Sequence, residues 1–256
     1  MSAATIRTET LGRQRRLTFD AGDKPNPIGE RTLDELDAAL DAVEADADVS
    51  VVSVAGAGGR FATGAALDEL AEWWAAERWD RVFAFVERGG RVVDRIDRLP
   101  VPTIAAIDGY ALGGGLEVAL ACDFRIASSG AQLGTPEVDL GMLPAWGGTH
   151  RLPALLGEAR ALDLVLTGRR LEAEEAASLG LVNRVVAAED LLATVDDLAD
   201  ALAAKPPATV AAILEAVRAA RSGSAAEAAA VAVRNDMRSI FTAEARERTR
   251  AFFDRD

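Results

Sequence analysis

Two glycine-rich stretches and two glutamates mark where this chain could do chemistry. Residues 113–117 read Gly-Gly-Gly-Leu-Glu. Consecutive glycines cost backbone entropy. Glycines that open a helix leave N–H groups free at its positive pole, a place for an oxyanion or a phosphate. A tight strand-to-helix turn packed on a neighbouring element would use the same residues. The stretch is neither G-x-G-x-x-G nor a P-loop, since no Lys-Ser/Thr follows. Glu117 falls in the first turn of the helix, where the macrodipole favours a carboxylate. Its neighbours Leu116, Val118, Ala119 and Leu120 are apolar, and a carboxylate among core residues is costly without partners or a task. Twenty residues on, Glu137 follows Pro136 in a short extended stretch; it is either a solvated loop glutamate or the second acid of a site. Arg60, in Gly58-Gly59-Arg60-Phe61-Ala62-Thr63-Gly64-Ala65, offers a cation for a phosphate. That segment reads equally as an exposed strand-to-helix turn.

The elements that must position these groups follow from periodicity. Residues 5–20 alternate polar and apolar around Gly12 and predict a hairpin. Leu33, Leu36, Leu40 and Val43 predict a helix over 32–45. Residues 49–55 predict a buried strand that ends in the glycines. One long helix is expected over 67–99, stopped by Pro100 and Pro102, then a strand at Thr103–Ile107, a helix over 116–121 and a strand over 124–127. A glycine-rich loop, 140–148, precedes helices at 149–156 and 159–167. A short helix over 172–179 ends at Gly180, and 181–186 is a strand. Beyond 189 only helices are expected, three or four of them, broken at Pro206-Pro207, Gly223 and Thr242. The class is therefore α/β, with a core over 1–188 and a helical region over 189–256.

Composition narrows the partners. Net charge is −13, with only two lysines, Lys24 and Lys205, which disfavours nucleic acid. The apolar runs are too short to span a bilayer, and the N-terminal arginines precede no apolar segment, so a cytoplasmic protein without a membrane partner is expected. A single cysteine, Cys122, reads as a small core residue and excludes an internal disulfide. With one histidine, His150, no all-histidine metal site is possible, and no metal is expected.

Taken together, Arg60-Phe61-Ala62-Thr63-Gly64-Ala65, the run from Ala105 through Asp108-Gly109-Tyr110 to Gly113-Gly114-Gly115-Leu116-Glu117, and Cys122-Asp123-Phe124-Arg125-Ile126-Ala127 resemble the enoyl-CoA hydratase/isomerase (crotonase) family. So do Gly134-Thr135-Pro136-Glu137, Leu140-Gly141-Met142-Leu143-Pro144-Ala145-Trp146-Gly147-Gly148-Thr149, and the tail from Phe241 to Phe252. The resemblance runs in order over nearly the whole chain.

The resemblance implies a crotonase-like spiral of β-β-α units with a C-terminal helical region that builds a homotrimer or homohexamer. It implies an oxyanion hole from the N–H groups of Ala65 and Gly114. Glu117 would be the base on a water that attacks C3 of a 2-enoyl-CoA, and Glu137 would deliver a proton to C2. Arg60, Ala62, Gly64, Ala66, Leu67, Gly113, Pro136 and Ala145 would contact the acyl-CoA thioester, with coenzyme A part of the substrate and no separate cofactor. Trp73, Trp74, Trp79 and Phe83 fall where the family lines its acyl pocket, although such spacing also suits plain core. Three positions depart from the pattern: Ala66 replaces an acid, Ala145 a common glycine, and His150 a frequent glutamine. Isomerisation, hydrolysis or decarboxylation of an acyl-CoA would use the same oxyanion hole. An RNA-binding role would need a basic face that this charge does not supply. A Ser-His-Asp hydrolase lacks its G-x-S-x-G elbow.

Overall fold

The computed structural model describes residues 3–253. Strands β1 (Thr5–Leu11) and β2 (Gln14–Asp20) form the expected antiparallel hairpin, turned at Gly12, with Thr5 opposite Asp20 and Leu11 opposite Gln14. Helix α1 (Glu30–Ala45) buries Leu33, Leu36, Leu40 and Val43 along one face. Strand β3 is Val51–Gly56. The single helix expected over 67–99 is two, α2 (Leu67–Ala75) and α3 (Trp79–Arg98). Between them Glu77 adopts a left-handed φ of 53°, a conformation that no helix interior accepts.

Strand β4 (Thr103–Ile107), helix α4 (Gly114–Ala121) and strand β6 (Phe124–Ser128) stand where expected. Three three-residue strands come in addition, β5 (Tyr110–Leu112), β7 (Gln132–Gly134) and β8 (Arg170–Glu172). A 3-10 turn (Pro136–Leu140), α5 (Gly148–Leu156), α6 (Glu158–Thr167), α7 (Ala173–Ser178) and β9 (Arg184–Val186) complete the core. Helices α8 (Leu191–Ala203), α9 (Pro207–Ser222), α10 (Ala225–Ile240) and α11 (Ala243–Phe253) follow. Residues 254–256, the end of the expected helical region, lie outside the described residues.

The strands form a six-stranded sheet in the order β1-β2-β3-β4-β6-β9, parallel from β2 onward, and a small sheet in the order β5-β7-β8. Isolated bridges join Ala62 to Ala111 and Ile28 to Ala65. The chain thus repeats one turn: a strand in the large sheet, an extended piece in the small layer, then a helix. β4-β5-α4 is one such turn, and β6-β7 with α5 is the next.

Both faces of the large sheet are covered. Val52, Val54, Ala105 and Ile107 point into the main core with Leu36, Ile96 and Leu116, while Val51, Ala55, Ile104, Ala106 and Ile126 meet Leu191, Val195 and Ala199 of α8. Two-sided burial explains why Thr103–Ile107 carries no exposed residue. Each large aliphatic side chain so buried contributes about 1.5–3 kcal/mol. Helix α9 is tied to the core by Arg218, which donates to Asp123 at 3.0 Å and to the Leu99 carbonyl at 2.6 Å. Among the described residues no helix is long and apolar enough to cross a membrane.

Candidate active site

The small sheet sets the frame. Leu112 of β5 stands opposite Gly134 of β7, and the Gly113 N–H donates to the Gly134 carbonyl at 2.9 Å. The two strands therefore release their chains side by side, one into α4 and the other into the 3-10 turn. Glu117 leaves the first turn of α4 and Glu137 the first turn of the 3-10 helix, rather than the extended stretch the sequence suggested. Both carboxylates line one cavity of about 170 Å³, together with Gly64, Ala65, Leu67, Gly113, Gly114, Pro136 and Ala145. Arg60, Ala62 and Ala66 lie outside its lining. The Arg60 guanidinium donates to the Asp23 and Lys24 carbonyls at 2.7 and 3.1 Å. Ala62 bridges the small sheet through its backbone, and the Ala66 N–H donates to the Ile28 carbonyl.

The triple glycine is required by what stands against it. Gly113 has φ +53°, and a Cβ on it would come within 2.9 Å of the Glu137 carboxylate. A Cβ on Gly114 would overlap the Trp146 ring, and one on Gly115 the Ala62 carbonyl. The reading of these glycines as a tight turn packed against neighbouring elements therefore holds. Gly64 abuts the Gly114 nitrogen, which a Cβ on Gly64 would meet at 2.8 Å. The 64–65 and 113–114 segments thus lie against each other at the cavity wall. Among the described residues, neither the Ala65 nor the Gly114 N–H donates a hydrogen bond.

The electrostatics of the two acids differ. Glu117 is buried, and its Oε1 accepts the Gly148 N–H, the first of α5, at 2.8 Å. Burial pushes its pKa up to about 7; the nearby Glu137 charge adds to the rise, while the Gly148 bond and Arg151 oppose it. Glu137 is half-buried, and burial raises its pKa as well. Its Oε2 is enclosed and accepts no hydrogen bond. Two neighbouring carboxyls whose charged forms are both disfavoured titrate as a coupled unit.

Of the two readings the sequence left open for its aromatics, plain core holds for Trp73 and neither holds for the other three. Trp73 is buried behind the apolar wall, while Trp74, Trp79 and Phe83 are exposed, Phe83 by 71%. None of the four lines the cavity, whose apolar side is instead Leu70, Phe85, Val86, Leu143 and Trp146. Trp73, Phe85 and Trp146 stack edge to face in series, with ring centroids 5.5 Å apart at each step. On α3 Phe85 faces inward, while Trp79 and Phe83, one turn apart on another face, are turned to the outside. Reasoning on the sequence also missed the Gly148 donor; the only signal for it was the glycine pair 147–148 opening a helix.

Comparison with known proteins identifies the family. The enoyl-CoA hydratase/isomerase family profile matches residues 15–255. The chain belongs to that family. A curated relative from Clostridium acetobutylicum, described as a short-chain-enoyl-CoA hydratase, is 37% identical over 211 residues, covering 82% of this chain and 79% of the relative. A solved enoyl-CoA hydratase from Bacillus anthracis superposes with a TM-score of 0.93 at 33% identity, covering 98% of this chain and 96% of that one. Another from Polaromonas sp. JS666 gives 0.93 at 30% identity, with 98% and 97% covered. The fold is the crotonase fold, as the sequence motifs implied.

Proposed function

We propose that this chain is an enoyl-CoA hydratase, a hydro-lyase that adds water to a 2-trans-enoyl-CoA to give a 3-hydroxyacyl-CoA. The observation that carries the reading is the convergence of two carboxylates with raised pKa values and two uncommitted N–H groups on one cavity.

The thioester oxygen takes the Ala65 and Gly114 N–H groups, which stabilise the negative charge that develops there. Water sits between Glu117 and Glu137. Glu117 removes a proton from it as the oxygen bonds to C3, and the C2–C3 π electrons shift toward the carbonyl to form the enolate. The enolate returns that pair to C2, which takes the proton from Glu137. Both transfers occur on one face, a syn addition. Charge suits Glu117, which has a donor in Gly148, and a proton suits Glu137, whose enclosed oxygen has none. Coenzyme A arrives as part of the substrate, so the chemistry calls for no separate cofactor. Its phosphate and adenine end is assigned to the 60–67 segment, with the remaining Arg60 donors available to phosphate.

We further infer a cytoplasmic homotrimer or homohexamer, supported by Ile213, Val217, Val233, Phe241 and Phe252, which helices α9 to α11 leave exposed; light scattering of the purified chain tests the assembly. The reaction is tested with a panel of 2-enoyl and 3-enoyl thioesters whose products are identified by mass. A product heavier by one water from a 2-enoyl thioester is expected. Free acid, carbon dioxide or a shifted double bond as the sole outcome would overturn the assignment.

A further inference from the structure

Arg151, in the first turn of α5, is buried and lies outside the cavity, yet it joins Trp146 of the cavity lining to α3. Its Nη1 donates to the Trp146 carbonyl at 3.0 Å, and its Nη2 donates to Asp94 of α3 at 2.6 Å, with Asp97 at 3.7 Å. Between Trp146 and Arg151 lie Gly147, where any Cβ would overlap the guanidinium, and Gly148, which donates to Glu117. The acidic side of the clamp is shared, because Arg221 of α9 donates to Asp97 at 2.7 Å.

We propose that Arg151 is a positioning residue: by fastening the 146–148 turn to α3 it holds the Gly148 N–H on Glu117 and the Trp146 ring against Gly114. A planar fork suits the task, since it satisfies a carbonyl and a carboxylate in fixed directions at once. The titratable and charged groups that face this region are Glu137 from the 3-10 turn, Arg151 and His150 on α5, Asp94, Asp97 and Arg98 on α3, and Arg221 on α9. Of these, Arg151 is the cation that favours the ionised form of Glu117.

The proposal rests on the hydratase reading for its kinetic test and on the structure alone for its second test. Arg151→Gln should lower kcat on a 2-enoyl thioester by about 10–100-fold, with KM within about threefold of the parent. The acid limb of its pH–rate profile should move to higher pH. Arg151→Lys keeps the charge but not the fork, so its limb should stay in place while kcat stays low. Independently of turnover, amide hydrogen exchange at Gly148 should accelerate in Arg151→Gln, and to a smaller degree in Asp94→Asn, whose changed group is partly exposed. Parental exchange at Gly148 in a folded Arg151→Gln would overturn the proposal. So would parental kcat, or a loss confined to KM. If Arg151→Gln fails to fold, parental exchange in Asp94→Asn is the overturning result. A parent that hydrates no thioester would end the hydratase reading, while the exchange measurement would still decide the clamp.

Discussion

The Cε3–Cζ3 side of the Trp146 indole lies where a side chain on Gly114 would begin, so an assigned oxyanion donor and the aromatic wall occupy adjoining space. Gly114→Ala should therefore force the ring or the helix start to move. Hydration is expected to fall about 10²–10³-fold, the scale of losing one such donor. Initial rates and thermal melts check this; parental rates would remove Gly114 from the assigned role.

Glu137→Gln leaves the size of the side chain unchanged and removes the proton it must deliver. A loss of about a thousandfold in hydration is expected, with an unaltered far-UV spectrum. Full activity in that variant would exclude Glu137 from the chemistry.

Glu117 predicts pH effects of definite sign. Its pKa in the folded chain is about 7, against 4.5 as the ordinary value, so hydration should decline as pH falls below about 7 and the base takes up a proton. Stability runs the other way. A group whose pKa is raised by folding stabilises fully below about 4.5, and that contribution is lost as pH rises through about 7. Glu117→Gln, neutral throughout, should exceed the parent by on the order of 3 kcal/mol at pH 8 and by little near pH 4.5. Denaturant titrations at the two pH values measure the difference.

Phe85 stands between the cavity and Trp73. Phe85→Ala should cost about 3–5 kcal/mol of stability and move the preferred 2-enoyl thioester toward longer chains, as competition assays between short and long thioesters would reveal. An unchanged preference would mean that the acyl chain leaves by another wall.

The large sheet, its hairpin and most helices were legible because their periodicity is long enough to register. Leu33, Leu36, Leu40 and Val43 trace a helical face, and two-sided burial makes β3 and β4 unbroken small-apolar runs. Strands β5, β7 and β8 were not, since three residues cannot establish an alternation. The break at Glu77 was hidden because glutamate is a good helix former, and the left-handed turn that ends α2, closed by the Glu77 and Arg78 N–H groups on the Trp74 and Trp73 carbonyls, is made without the usual glycine. The cavity contains nine of the twelve site residues named from the sequence. Arg60, Ala62 and Ala66 fall outside, and the Gly148 donor and Arg151 were missed, because a hydrogen bond between residues 31 positions apart leaves no trace in local pattern.

The pairing of Leu112 with Gly134 has a consequence for how this site can vary among relatives. The spacing of the two acids is kept by strand register, and inserting or deleting one residue within β7 would shift the register that leads into the 3-10 turn by about 3.3 Å and displace the Glu137 carboxyl from Glu117. Gly130, beyond the end of β6, has open space around it, so length changes should be absorbed there. A library of single-residue insertions scanned from 128 to 140 should recover working enzymes at the first few positions and none within the last strand or turn.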